Sequence, residues 1–275
     1  MNEMEPGSIA VIPGAVAQRR NRDIFYPFRQ DSDFYYLTGF CEPEALLVLV
    51  PQREQGETIL FCRDKDPRIE QRDGVILGPE AAVASIGVDD AFPVVDEDEI
   101  LPGLLEGRHR IYMTMGEYPS FDACILGYVA DIRARESGGA QPPGEFVSLK
   151  HLLHEHRIYK SPTEIQVMRH AAQISANAHV RAMQKVRPGM LESELVYEFM
   201  RSGAANAAYP SIVGGGKNAC VLHYINNNCA LNDGELVLID AGCEYQHYAG
   251  DITRTFPVSG RYSEAQKELY DIVLA

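Results

Sequence analysis

Two acids stand where a chain that is building a sheet has little use for charge. Asp240 closes the apolar run Leu236-Val237-Leu238-Ile239, and Asp251 follows eleven positions later within Gly-Asp-Ile-Thr-Arg-Thr. Both stretches have strand character. A hairpin pairing 235–243 with 247–256, turning at Tyr245-Gln246, sets the two aspartates directly opposite each other. Cβ atoms of such a pair lie roughly 4.5–5.5 Å apart on one face. Tyr-Gln is not a favoured two-residue turn, so a longer loop with a neighbouring register is an alternative. A slip that preserves parity still leaves both side chains on the same face.

Ionised carboxylates that close repel, and three arrangements would relieve them. The acids can lie at strand ends, solvated or bonded to turn amides. They can share one proton, as in aspartic proteases, although Ala241 lacks the hydroxyl such a motif carries and no second copy is visible. Or they can bind divalent cations: hard oxygen ligands suit manganese or magnesium, and a cation turns repulsion into joint attraction. Two aspartates cannot fill two coordination spheres, so a two-metal site requires further ligands.

Among the histidines, His223 shares a face with Val221 if "ACVLHY" is a strand; taken alone it reads as structural more readily than catalytic. His170 and His179 belong to a helix and read as surface or core residues. The stretch "SIVGGGKNACVLHY" fails as a phosphate loop, because Asn218 follows Lys217 and Ser211 stands where the first glycine belongs. A glycine-rich turn leading into a strand is the better reading.

The elements that must hold these residues follow from periodicity. "SIAVIPG", "EALLVLVP", "ETILFCR" and "RIYMTM" read as strands, and "EAAVASIG" and "FDACILGYVADIRAR" as helices. The Gly- and Pro-rich "ESGGAQPPGE", residues 136–145, reads as a loop or boundary, giving domains at 1–145 and 146–275. Beyond it, Ser161, Pro162 and Glu164 form a capping-box start to a long helix. Its expected inward stripe is Ile165, Met168, Ala172, Ser175, His179, Ala182 and Val186, and Pro188-Gly189 stop it. A second helix is predicted over 191–202 with Leu195, Phe199 and Met200 inward. Ser263 and Gln266 open a last helix with Leu269, Ile272 and Val273 on its apolar face; it reaches Ala275 without a stop signal, which suggests truncation.

A net charge of -14 over 275 residues, with no basic stripe, argues against a nucleic-acid partner. Six cysteines without a CxxC pair read as thiols in a reducing compartment. No signal-peptide pattern or bilayer-length apolar run is present, so no membrane association and a cytoplasmic location are expected. Assembly with identical subunits is left open.

Four stretches together resemble one family. "LVLIDAGCEYQHYAGDITRTFPVSG" resembles the metal-binding segment of aminopeptidase P, in the pita-bread metallopeptidases that also include prolidase. "FRQDSDFYYLTGFCEPEALLVL" resembles that family's N-terminal domain motif, "HEHRIYKSPTEI" its interdomain segment, and "IVGGGKNACVLHY" the strand carrying its substrate-site histidine. The resemblance implies an α/β N-terminal domain of creatinase/aminopeptidase P type followed by an incomplete α+β pita-bread domain. It also implies a metal-dependent aminopeptidase that uses two Mn2+ ions to release a residue preceding proline. Asp240 and Asp251 would be metal ligands and His223 a catalytic residue holding substrate. Peptides with proline second are the expected partners. The family's remaining ligands, one histidine and two glutamates, would lie past residue 275, so the chain alone is expected to be nearly inactive. The alternatives are a prolidase-type dipeptidase and a non-catalytic pita-bread protein that binds peptides or assembles with a partner.

Overall fold

A computed structural model describes residues 3–201 and 206–275 and divides the chain into two compact units, 1–159 and 160–275. In the first unit the chain runs β1 (Ser8–Pro13), β2 (Arg19–Asn21), β3 (Ile24–Phe25), α1 (Ser32–Thr38), β4 (Leu46–Leu49), β5 (Thr58–Cys62), α2 (Pro67–Asp73) and α3 (Pro79–Ile86). It continues through β6 (Asp90–Pro93), α4 (Glu97–Leu105), β7 (Arg110–Met113), α5 (Pro119–Arg133), β8 (Glu145–Ser148) and α6 (Lys150–Ile158). All the strands and helices expected from periodicity in this half are present.

Six of these strands form one mixed sheet in the order β6-β5-β4-β1-β7-β8. Alternation along β1 explains how it is covered. Ile9 and Val11 join Val48, Phe61, Leu101, Ile125 and Val129 on one face, whereas Ala10 and Ile12 join Phe34, Leu60, Ala82 and Leu153 on the other. A strand buried on both sides reads as a continuous apolar run, as "IAVI" does. The boundary expected after residue 145 is corrected: Glu145 opens β8, which pairs parallel to β7, and Leu149 and Leu153 pack in the first core. The Gly/Pro-rich stretch is therefore a loop inside this unit, and the division falls after Tyr159.

The second unit contains α7 (Pro162–Lys185), α8 (Glu192–Met200), β9 (Asn206–Ala207), β10 (Ile212–Gly215), β11 (Leu236–Tyr245), β12 (Tyr248–Pro257) and α9 (Glu264–Leu274). The capping box forms as expected: Glu164 N–H donates to Ser161 Oγ at 3.2 Å and Ser161 N–H to Glu164 Oε2 at 2.7 Å. The inward stripe of α7 differs from expectation. Ala171, Ser175, Ala178, His179 and Ala182 are buried, whereas Ile165 and Met168 are each 37% exposed and Ala172 is exposed. Small residues win because the helix lies almost on the backbone of the hairpin. Cys243 N–H donates to Ser175 Oγ at 3.0 Å, and a Cβ built on Gly250 would come within 2.6 Å of Ala171 O. In α8, Leu195 and Phe199 are buried and Met200 half-buried; the expected end of that helix at Ser202 lies outside the described residues.

Two further expectations are corrected. Residues 219–224 are not a strand: after β10, Gly216–Cys220 form a 3-10 turn and the chain continues as a loop. The β11–β12 ladder turns at Gln246-His247, not at Tyr245-Gln246. Both turn residues have positive φ, +47° and +64°, the geometry of a two-residue turn whose twist matches the flanking strands.

Candidate metal centre

One face of β11 is spent on the core. Val237, Ile239, Ala241 and Cys243 are all buried toward α7. Period-2 alternation then places Asp240 on the opposite face, where it pairs across with Thr253 while Asp251 pairs with Gly242. The register is thus two residues removed from direct opposition, and parity is kept. Asp240 and Asp251 are diagonal neighbours on the face away from α7, one half-buried and the other exposed. On the far side of β11, Ile212 of β10 pairs with Asp240.

A residue without any sequence signal joins the two acids. The Tyr209 hydroxyl lies 2.6 Å from Asp240 Oδ1 and 2.7 Å from Asp251 Oδ1. Burial, followed by the hydrogen bonds and negative charge of the two carboxylates, holds the Tyr209 phenol far above its ordinary pKa. It remains a neutral donor. One hydroxyl hydrogen can satisfy only one of the two contacts at a time, so the phenol alone leaves the second carboxylate uncompensated.

An open pocket of about 400 Å³ surrounds the pair, lined by Tyr209, Pro210, Ile212, His223, Ile225, Asp240 and Asp251. All three residues singled out from sequence therefore meet in one place, although His223 arrives on a loop and not on a strand. The pocket lining described here includes neither Lys nor Arg. Two acids facing a concavity without a fixed cation form a donor set of hard oxygens, which suits a divalent ion. Among the described residues no group of three His, Cys, Asp or Glu is gathered closely enough to hold a metal. The kind of donor fits and the number is that of a partial site.

Three glycines bring the His223 loop to this pocket. A Cβ on Gly214 would lie 2.8 Å from Ala219 N, one on Gly215 would lie 2.6 Å from Leu231 Cδ2, and Gly216 has φ +50°. The chain folds back over β10 so closely that side chains are excluded. The glycine run thus serves close backbone approach, and no phosphate cradle is needed to account for it. His179, beneath the sheet, donates from Nε2 to Ala241 O at 3.1 Å and stacks edge-on against Phe199, with 5.1 Å between centroids. His170 is exposed and contacts the Tyr245 ring. Neither lines the pocket.

Comparison with known proteins finds relatives for both units. The model of the aminopeptidase P N-terminal domain matches residues 1–112, and that of metallopeptidase family M24 matches residues 166–275. The Xaa-Pro aminopeptidase of Escherichia coli is 46% identical over 279 residues, which take in 100% of this chain and 63% of that protein. Human Xaa-Pro aminopeptidase 3 is 34% identical, over 92% of this chain and 51% of its own length. The solved structure of the Pseudomonas aeruginosa aminopeptidase PepP has a TM-score of 0.96 at 53% identity, covering 99% of this chain and 63% of that one. This chain thus spans somewhat less than two thirds of the bacterial relatives' length. An α/β N-terminal domain is followed by part of a pita-bread domain, and the chain belongs to metallopeptidase family M24 in combination with the aminopeptidase P N-terminal domain.

Proposed function

We propose that the full-length protein is a manganese-dependent aminopeptidase that releases the N-terminal residue of peptides with proline in second position. The observation carrying this reading is the diagonal Asp240–Asp251 pair, joined through Tyr209 in a pocket that His223 also lines. The relatives named Xaa-Pro aminopeptidase support the choice of substrate.

Asp240 and Asp251 would hold the divalent ions, and their oxygen-only chemistry favours manganese over softer metals. When bound, such ions supply Lewis-acid polarisation of the scissile carbonyl. The protein's part is positional. Asp240 is fixed by strand pairing on both sides, so its carboxylate is set in place before substrate arrives. His223, exposed on the pocket wall beside Ile225, is placed to hydrogen-bond the peptide near the reacting carbonyl. Pro210, Ile212 and Ile225 give that wall an apolar surface suited to a pyrrolidine ring, which has no N–H to satisfy.

All six cysteines are free, which supports a reducing, cytoplasmic setting. Among the described residues no helix is long and apolar enough to cross a membrane.

The test is product analysis. Manganese-loaded full-length protein should liberate the first residue from an Xaa-Pro-Yaa tripeptide, and the 275-residue chain by itself should show little turnover. Cleavage restricted to Xaa-Pro dipeptides would point to a prolidase instead.

A further inference from the structure

Glu192, the first residue of α8, is the one acidic side chain buried among the described residues, with no solvent exposure. Burying a carboxylate is costly unless its charge is met by donors, and here four converge. Oε1 accepts from Gly215 N–H at 2.9 Å and Asn218 Nδ2 at 3.0 Å; Oε2 accepts from Tyr224 O–H at 2.8 Å and Cys229 N–H at 3.0 Å. Its own N–H donates to Cys229 O at 3.0 Å. Burial works against ionisation, yet these hydrogen bonds outweigh it and hold the carboxyl below the usual range. The first turn of α8 adds a favourable dipole.

Every one of those donors belongs to residues 215–229, and His223 sits within that span. Tyr224 points inward and is 9% exposed; its neighbour His223 is exposed and lines the pocket. Asn227 adds a second clamp, accepting from Val213 N–H at 2.9 Å and donating to Ser211 O at 2.8 Å. Among the described residues the His223 ring has no hydrogen-bond partner of its own, so the position of its loop backbone sets where the imidazole can reach.

We propose that Glu192 is a positioning residue for His223: its buried carboxylate clamps the loop from Gly215 to Cys229 so that the imidazole is presented to the Asp240–Asp251 pocket. This rests on the substrate-holding role given to His223 above. An apolar side chain could fill the same space at lower solvation cost, but it could not hold the inner side of the loop at four points. The amide of Gln would fail too. The backbone groups of Gly215 and Cys229 offer only N–H donors, one to each oxygen, so an NH2 group must face one of them.

The test is a double-mutant cycle in the manganese-loaded full-length enzyme on an Xaa-Pro tripeptide, comparing H223A, E192Q and the double variant. Misplacing the imidazole should lower kcat roughly ten- to hundredfold in E192Q, with a smaller change in KM. Added to H223A, the same change should cost less than about twofold, because the group it positions is gone. Hydrogen exchange in metal-free protein should show lost amide protection at Gly215 and Cys229 in E192Q. Should E192Q fail to fold, Y224F removes one donor of four and should give the same non-additivity at about three- to tenfold. Equal losses in both backgrounds, or unchanged kcat in E192Q, would overturn the positioning role while leaving His223's own role intact. Full turnover in H223A would instead overturn the role of His223 itself, and the clamp's catalytic meaning with it.

Discussion

Gly242 lies directly opposite Asp251 on the β11–β12 ladder, with no room for a side chain between the two strands. A Cβ built there would stand 2.6 Å from Gly250 O and 3.1 Å from Asp251 Cα. Both are backbone atoms, which cannot swing aside. Gly242→Ala is therefore expected to destabilise the protein by roughly 1–3 kcal/mol and to weaken manganese binding, since Asp251 must shift. Urea denaturation and calorimetric titration check this; an unchanged midpoint with unchanged binding would contradict it.

Tyr209 is the donor that joins the acids in metal-free protein. Tyr209→Phe keeps the ring and removes the bridge, leaving two carboxylates in one pocket without that proton. The expected loss is about 1 kcal/mol of metal-free stability, and it should shrink when manganese is added, because a cation neutralises the same pair. Thermal unfolding with and without manganese measures the difference.

His179 gives the fold a dependence on pH. Burial, the dominant cause, holds its imidazole below the ordinary value, despite carbonyl contacts from Ala241 and Ile252 that favour the charged form. The unfolded chain therefore takes up the proton first. Folding stability should fall as pH drops through about 6.5 and level off once the folded-state value is passed. His179→Gln removes this titration, so its urea midpoint should change less than that of the wild type between pH 7.5 and 5.5.

The N-terminal motif is architectural. Gln30, 1% exposed, accepts from Ala15 N–H and Asp31 N–H and donates to Glu42 O at 2.9 Å. Asp31 caps α1, accepting from Asp33 and Phe34 N–H, and Gly39 ends the helix in a left-handed conformation. Asp33 pairs with Arg157 of α6. Gln30→Ala should cost about 2–3 kcal/mol, because buried backbone groups lose their partners. Denaturant titration should show this, and a loss below 0.5 kcal/mol (within the usual scatter of surface changes) would contradict it.

What was legible in the sequence was local. Strands such as Ser8–Pro13, the box at Ser161–Glu164 and the outward parity of Asp240 depend on a few adjacent residues. What escaped it depends on long-range approach. Val221 and His223 alternate as a strand would, but Gly214–Gly216 fold the chain back over β10 before a strand can form. The hairpin turn shifted because Gln246 and His247 both accept positive φ, which residue preference disfavours. The α7 stripe moved to Ala171 and Ser175 because close contact with Gly250 rewards small side chains over Ile165 and Met168. Tyr209 and Glu192 carried no signal at all. A lone tyrosine before proline and an acid in a first helical turn are ordinary until the fold brings their partners to them.

The most direct measurement concerns the carboxylate pair. Manganese titration and Xaa-Pro tripeptide turnover are compared for the full-length wild type, Asp240→Asn and Asp251→Asn, with folding verified for each. Each substitution is expected to remove tight manganese binding and lower turnover by at least about a thousandfold, a loss of roughly 4 kcal/mol in transition-state stabilisation. Wild-type manganese affinity and turnover in either variant would contradict the assignment of these two aspartates to the metal site.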